Sequence, residues 1–299
     1  MWNIEKFSWV WTAFITPFNE DGSIDFEAFD KLIEKQIAGG VKWLLFLGTT
    51  GETPTLTEDE KEQIVRRWIE KIAGRCLVMV NTWSNATNAS IENSKKYDKV
   101  DWIDVFLVVN PYYNKPTQEW LYRHFRGVAD SVSKPIFLYN IAWRTWINLE
   151  TETLVRLSND CGNIVWVKEA SWSLEQMQDV IDSTDRDFVV LSWDDSLTID
   201  LMKIGWAWII SVASNYIPET MSQMVWSFLE WNISKADEIN NNLWEFFDWE
   251  FIQTNPLPIK VALVEAWIIK EQYRLPLCEM DTTPRKEWLN ILEKYKDFN

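Results

Sequence analysis

The sequence predicts a (β/α)8 barrel followed by a helical appendage, and three observations carry that reading. Eight short runs are apolar on both faces, the pattern of parallel strands covered by helices. An amphipathic stretch separates each run from the next. After about Ile217 the strand signal stops and only helical patterns continue. Eight βα units fill a span of about 220 residues comfortably. Residues 1–217 are therefore expected to form the barrel and residues 218–299 the C-terminal helical region. An open doubly wound sheet is the weaker rival, because no G-x-G-x-x-G follows the first strand.

In chain order the expected strands are Val10–Ile15, Trp43–Leu47, Leu77–Asn81, Ile103–Val109, Ile136–Asn140, Ile164–Lys168, Phe188–Ser192 and Trp208–Val212. The helices between them are Phe26–Ala38, Glu58–Ala73, Ala86–Lys99, Gln118–Val132, Thr151–Ser158, Leu174–Ser183 and Ser196–Ile204. Thr57, followed by Glu58, Asp59 and Glu60, reads as an N-cap with acids complementing the helix dipole. Thr117 before Gln118 and Glu119 reads the same way. The appendage should hold Glu219–Trp231, Lys235–Phe251, Pro258–Glu271 and Arg285–Tyr295.

Composition bounds the function. With 299 residues and 47% hydrophobic content the chain can bury a large core, which excludes disorder. A net charge of −16 argues against nucleic acid and anionic membranes, which need clustered Lys and Arg. No run reaches the roughly 18 apolar residues of a spanning helix, and the start, Met1 to Val10, lacks a leader-like apolar stretch. Cys76, Cys161 and Cys278 have no C-x-x-C spacing and read as reduced cytosolic thiols. The expected location is cytoplasmic, with no metal and no cofactor.

A barrel builds its chemistry where strands end and βα loops begin. Those positions carry Gly48-Thr49-Thr50-Gly51-Glu52, Asn81-Thr82, Asn110-Pro111-Tyr112-Tyr113-Asn114, Tyr139-Asn140 with Arg144-Thr145, Lys168-Glu169, and Ser192 before Asp194-Asp195. Lys168 leaves a buried strand, where a charged amine is disfavoured and a neutral one suits Schiff-base chemistry. Pairing with Glu169 or another acid is the plainer reading. Thr49, Tyr113 and Tyr139 offer a hydroxyl relay, against ordinary loop hydrogen bonding. Gly48 and Gly51 let backbone N–H groups approach a carboxylate. Arg144 can grip a second carboxylate in bidentate fashion, or simply form a surface ion pair. His124, the single histidine, sits within a helix and is expected on the surface. Asp194-Asp195 is expected to be a helix N-terminus.

Together these segments resemble the dihydrodipicolinate synthase family in order and spacing. The resemblance rests on Gly48-Thr49-Thr50-Gly51-Glu52, Pro111-Tyr112-Tyr113-Asn114-Lys115-Pro116, Leu138-Tyr139-Asn140, Arg144-Thr145 and Val167-Lys168-Glu169-Ala170. Ser192 with Asp194-Asp195, Ile210-Ser211-Val212 and Asn255-Pro256-Leu257-Pro258 continue it. It implies that Lys168 forms an imine with pyruvate and that the derived enamine attacks aspartate 4-semialdehyde. Tyr139 would move protons beside Lys168, and Thr49 would link it to Tyr113, reaching in from a neighbouring subunit of a homotetramer. Thr49 and Thr50 would hold the pyruvate carboxylate, the backbone of Ile210 would line the same pocket, and Arg144 would bind the second substrate. Two other readings stand beside this one: a pyruvate-dependent aldolase acting on a sugar acid or other 2-oxo acid, and a non-catalytic barrel that binds pyruvate-like effectors. Thr49-Thr50 and Arg144 side with the synthase. Feedback by lysine should be weak, because the resemblance leaves Asn85 and Tyr112 in place but puts Ala89 where inhibited members carry Glu.

One number is abnormal: 21 Trp against 9 Gly. Ordinary usage gives about 7% Gly, roughly 20 in this length. Against the family pattern, Trp11, Trp43, Trp83, Trp120, Trp146, Trp166, Trp172, Trp193 and Trp208 stand at glycine or small-residue positions. Overpacking one such site costs about 1–3 kcal/mol, so nine together should abolish folding at ordinary stability. The expectation is that UGA codons meaning glycine have been read as tryptophan; the alternative is a protein that carries these tryptophans and has repacked around them. Positive φ is then expected at some of Trp83, Trp143, Trp146, Trp172 and Trp193, with crowding at Trp166 and Trp208. Trp143 and Trp193 should press on the surroundings of Lys168 and Arg144. Trp231 and Trp288 are expected on exposed helices, where an absence of strain would not discriminate.

Overall fold

The computed structural model describes residues 9–171, 173–184, 188–204 and 209–299. Eight strands alternate with helices: β1 (Trp11–Ala13), β2 (Trp43–Phe46), β3 (Leu77–Asn81), β4 (Val105–Val109), β5 (Ile136–Asn140), β6 (Ile164–Glu169), β7 (Val189–Ser192) and β8 (Ile210–Ser211). Their hydrogen-bonded order is β7-β6-β5-β4-β3-β2-β1-β8, which is the expected (β/α)8 connectivity. The chain divides into two compact units.

One unit spans Val78–Asp194 with Leu201–Ile209. Here β4, β5, β6 and β7 pair in parallel, with Tyr139 opposite Lys168 and Asn140 opposite Glu169. Every residue of β4, β5 and β6 is buried, so neither face meets water. Between the strands lie α3 (Thr87–Asp98), α4 (Gln118–Ala129), α5 (Ala142–Thr145), α6 (Thr151–Asp160) and α7 (Leu174–Ser183). On α4 the buried stripe runs through Leu121, Tyr122, Phe125, Val128 and Ala129 and takes in His124 as well. The expectation of a surface histidine is thus corrected. Its Nδ1 lies 2.9 Å from Thr87 Oγ1 on α3, and burial holds its pKa down at about 4. Thr117 precedes α4 but makes no side-chain cap, a second correction.

The other unit spans Trp9–Leu77, Asp195–Asp200 and Ile210–Asn299. It holds β8, β1 and β2 in that order, α1 (Phe26–Ala38) and α2 (Glu58–Ile72). Asp25 caps α1 through Ala28 N at 3.0 Å. Thr57 and Glu60 form the expected capping box on α2. The C-terminal part is helical: α9 (Pro218–Leu229), α10 (Ile233–Trp249), α11 (Leu257–Glu265) and α12 (Thr282–Leu292), after the short α8 (Thr198–Lys203). Asp195 starts a 3-10 turn, but its carboxylate does not serve that turn. It accepts from Val212 N at 2.9 Å and Ala213 N at 3.1 Å, bracing the segment after β8.

The tryptophans fall into two groups. Nine described non-glycine residues have positive φ, and four of them are Trp9, Trp146, Trp231 and Trp267. Trp146 follows α5 at φ 60°, as expected of a glycine position, whereas Trp83, Trp143 and Trp193 have ordinary φ. Trp231 is not strain-free. At φ 63° it is the left-handed residue of a Schellman end to α9, with Trp231 N on Phe228 O and Asn232 N on Ser227 O. Trp267 does the same for α11 at φ 59°, which is why that helix stops at Glu265, short of Glu271. Trp288 is neither exposed nor strained: it is fully buried on α12 and its Nε1 donates to Pro258 O at 2.7 Å. Trp11 and Trp43 are register partners on β1 and β2, their rings stacked 3.9 Å apart. Trp166 is buried against Phe137 at 4.4 Å, beside a register shift in the β5–β6 ladder. Trp172 and Trp208 lie outside the described residues.

Candidate active site

Two groups of strand-end residues are built separately, one in each unit. In the first, β5 and β6 place Tyr139 and Lys168 side by side on one face. Lys168 Nζ stands 4.5 Å from the centre of the Tyr139 ring, and both residues are buried. Burial raises the Tyr139 phenol well above its ordinary pKa, and the nearby positive charge of Arg144 opposes that only in part. Tyr139 is therefore a neutral phenol at physiological pH, able to give a proton. Arg144 projects from α5, half-buried, with its Cζ 4.3 Å over the Trp143 ring. Burial disfavours its charge and Tyr139 favours it. The Trp143 ring thus stacks on the Arg144 guanidinium, and the Trp193 ring lies 6.0 Å from it.

Glu169 does not pair with Lys168. The pleat turns it to the opposite face, where Asn140 Nδ2 reaches both carboxylate oxygens at 3.0 and 3.1 Å. Burial pushes the Glu169 carboxyl up to about 7. Tyr113 is 87% exposed at φ 72°, so it does not join Lys168 and Tyr139 within its own unit. Nothing is described of the Ser192 side chain.

In the second unit, β2 runs into the Gly48–Glu52 loop. Glu52 N donates to Thr49 O at 3.0 Å, and Thr53 Oγ1 to Gly48 O at 3.0 Å, closing a tight turn. Gly51 suits the turn, because a Cβ there would come within 3.1 Å of Phe14 O, tighter than most side-chain contacts. Thr50 is buried and accepts from Asn255 Nδ2 at 2.9 Å, while Thr49 is half-exposed. Ile210 is buried in β8 opposite Trp11.

The sequence reading missed what supports this loop. Glu52, in the left-handed region at φ 54°, forms a fully buried ion pair with Lys260 at 2.6 Å, and Lys260 also donates to Gln272 O at 2.8 Å. A signal was present: Lys260 is the single charged residue in the apolar run Leu257–Val264. A lysine there needs a buried partner.

Comparison with known proteins identifies the family. The profile of the Dihydrodipicolinate synthetase family matches residues 6–295. A 4-hydroxy-tetrahydrodipicolinate synthase of Endomicrobium trichonymphae is 43% identical over 292 residues, covering 98% of each chain. The crystal structure of dihydrodipicolinate synthase from Aquifex aeolicus superposes with a TM-score of 0.93 at 38% identity, covering 96% of this chain and 98% of that one. The 4-hydroxy-tetrahydrodipicolinate synthase of Methylacidiphilum fumariolicum gives 0.94 at 35% identity, covering 97% of this chain and 96% of that one. The fold and these matches agree, and the chain belongs to the dihydrodipicolinate synthase family.

Proposed function

We propose that this chain condenses pyruvate with aspartate 4-semialdehyde to give 4-hydroxy-tetrahydrodipicolinate, through an imine on Lys168. The observation that carries the proposal is the buried Lys168–Tyr139 pair with Arg144 electrostatically coupled to it. Lys168 Nζ adds to the ketone carbon of pyruvate, and water leaves as the imine forms. Loss of a methyl proton gives the enamine, whose carbon bonds to the aldehyde carbon of the second substrate. The amino group of that substrate then closes on the imine carbon and expels Lys168. Tyr139, kept neutral by burial, supplies the proton the departing hydroxyl needs and takes one back later. Arg144 holds the carboxylate of the semialdehyde.

Thr49 and Thr50 are assigned the pyruvate carboxylate, with Gly48 and Gly51 allowing backbone N–H groups to approach it and the Ile210 backbone lining the pocket. Tyr113, exposed on its own chain, is assigned to a neighbouring subunit's proton relay. A tyrosine shared in this way needs at least a dimer, and the family resemblance implies a homotetramer, a dimer of dimers, as the assembly. The three free cysteines support a cytoplasmic enzyme. Among the described residues no helix is long and apolar enough to cross a membrane.

Borohydride reduction in the presence of pyruvate should fix a stable adduct on Lys168. An adduct on another lysine, or none on folded protein, overturns the assignment. A sugar-acid aldolase shares the lysine and the tyrosine. Turnover with aspartate semialdehyde, and none with sugar 2-oxo acids, separates the synthase from it.

A further inference from the structure

Arg144 rides on α5, four residues long, with no side-chain cap at its start. A helix this short does not hold itself. Its position is set by what grips the chain on either side. On the β5–β6 face turned away from Lys168, Asn140 and Glu169 anchor a buried polar network. Asn140 Oδ1 accepts from Asn110 Nδ2 at 2.8 Å and from Leu149 N at 2.9 Å. Asn140 Nδ2 reaches Asn148 Oδ1 at 2.8 Å as well as both Glu169 oxygens. Asn110 Nδ2 also donates to Ile147 O at 3.1 Å, and Gln176 bridges Asn148, Leu149 O and Glu169. Both ends of the segment that carries Arg144 are thus tied to one carboxylate.

We propose that Glu169 is a positioning residue for Arg144, fixing where the guanidinium meets the second substrate's carboxylate, through Asn140 and the Ile147–Leu149 backbone. This rests on the Arg144 role proposed above. The chemistry of the site calls for a carboxylate in particular. Asn140 Nδ2, Ser171 N at 2.8 Å and Gln176 Nε2 at 3.5 Å all point donors at Glu169. These donors favour the ionised form, in which both oxygens accept, against the burial that opposes it. An amide in its place sets one N–H group against another and loosens the clamp. A misplacement of about 1 Å costs up to about 10²-fold in a reaction governed by orientation.

The test is Glu169→Gln, with two readouts. The KM for aspartate semialdehyde should rise by about 10-fold or more, within the range a misplaced binding group costs. Borohydride trapping of pyruvate on Lys168 should stay at the parent level. Unchanged KM, or trapping that falls in step with it, overturns the proposal. Should Glu169→Gln not fold, Asn148→Ala decides: it is half-buried, leaves β6 untouched, and should give the same split in smaller measure. Loss of trapping in the parent would instead refute the Lys168 assignment.

A second inference starts from the backbone. The Schellman bonds that end α9 and α11 also end α1, with Gly40 N on Ile37 O and Val41 N on Gln36 O. There the left-handed residue is Gly40, at φ 81°. Among the described residues the same device therefore uses glycine once and the bulkiest side chain twice. We infer that the natural protein carries glycine at Trp146, Trp231 and Trp267, encoded by UGA codons that its source reads as glycine. Trp288, buried and hydrogen-bonded, is a genuine tryptophan encoded by UGG. Sequencing the codons and weighing the corresponding peptides from the source organism tests both statements. Glycine-mass peptides with UGA at the three sites, and UGG at 288, are expected. Tryptophan-mass peptides at the three sites overturn the inference.

Discussion

Replacing Trp231 and Trp267 by glycine should stabilise the chain as given. Both residues sit in the left-handed region at φ 63° and 59°, and both are almost wholly exposed, at 88% and 95%. Truncation therefore forfeits almost no burial. Relief of the left-handed conformation returns roughly 1–2 kcal/mol per residue. The greater freedom of glycine in the unfolded chain takes back about 0.5–1 kcal/mol. Each substitution should net about 1 kcal/mol. The two sites share no hydrogen-bond partner, so the double variant should gain about 2 kcal/mol. Urea denaturation with a fixed m-value reads this as a raised midpoint. Trp288→Gly is the counter-control. It empties a fully buried site and removes the Trp288 Nε1 hydrogen bond to Pro258 O, costing about 3–5 kcal/mol. A double variant less stable than its parent would refute the reasoning, because the C′ positions would then have adapted to tryptophan.

Tyr139→Phe should lower kcat by about 10²–10⁴-fold while the fold persists, measured by coupled turnover and far-UV circular dichroism; near-parental turnover removes Tyr139 from the chemistry. Lys260→Ala leaves Glu52 buried and unpaired, so the midpoint should fall by the equivalent of about 3–5 kcal/mol. A loss below about 1 kcal/mol would mean that the pair is not buried in solution. His124 and Glu169 act oppositely on stability. His124, depressed to about 4, makes stability fall as pH drops below its unfolded 6.5; Glu169, raised to about 7, makes stability fall as pH rises above its unfolded 4.5. Each is worth about 3 kcal/mol, so the two nearly cancel between about pH 4.5 and 6.5. His124→Asn should expose the carboxyl limb, which Asp195, also raised by burial, reinforces; stability of that variant rising with pH over this window would count against it. Inhibition by lysine should be weak. Ala89 offers no carboxylate for the effector's ammonium group, and Glu58 is already paired with Lys61 at 2.6 Å; strong inhibition below millimolar lysine contradicts this.

The eight strands were legible because burial on both faces leaves nothing polar to interrupt them. Their ends were less so. The run Val10–Ile15 reads as one strand, yet pairing covers only Trp11–Ala13, because Phe14 and Ile15 stay buried after the ladder ends. Lys168, Tyr139 and Arg144 could be named because strand ends are where a barrel keeps its chemistry. Their supports could not. Asn110, Asn140 and Glu169 are far apart in sequence, and only the register of β4, β5 and β6 brings their side chains together. His124 was misread because the buried arc of α4 is wider than its apolar residues suggest.

The exposure of Tyr113 has a consequence in dilute solution. If that hydroxyl completes a neighbour's relay, a lone chain carries its own lysine but lacks a proton path, and activity per chain becomes a property of concentration. Specific activity should then fall as the enzyme is diluted through its assembly constant, while pyruvate trapping by Lys168 falls less steeply. Evolution of such an enzyme would select for subunit affinity through turnover itself, because a chain that drifts from its neighbours loses catalysis before it loses its fold.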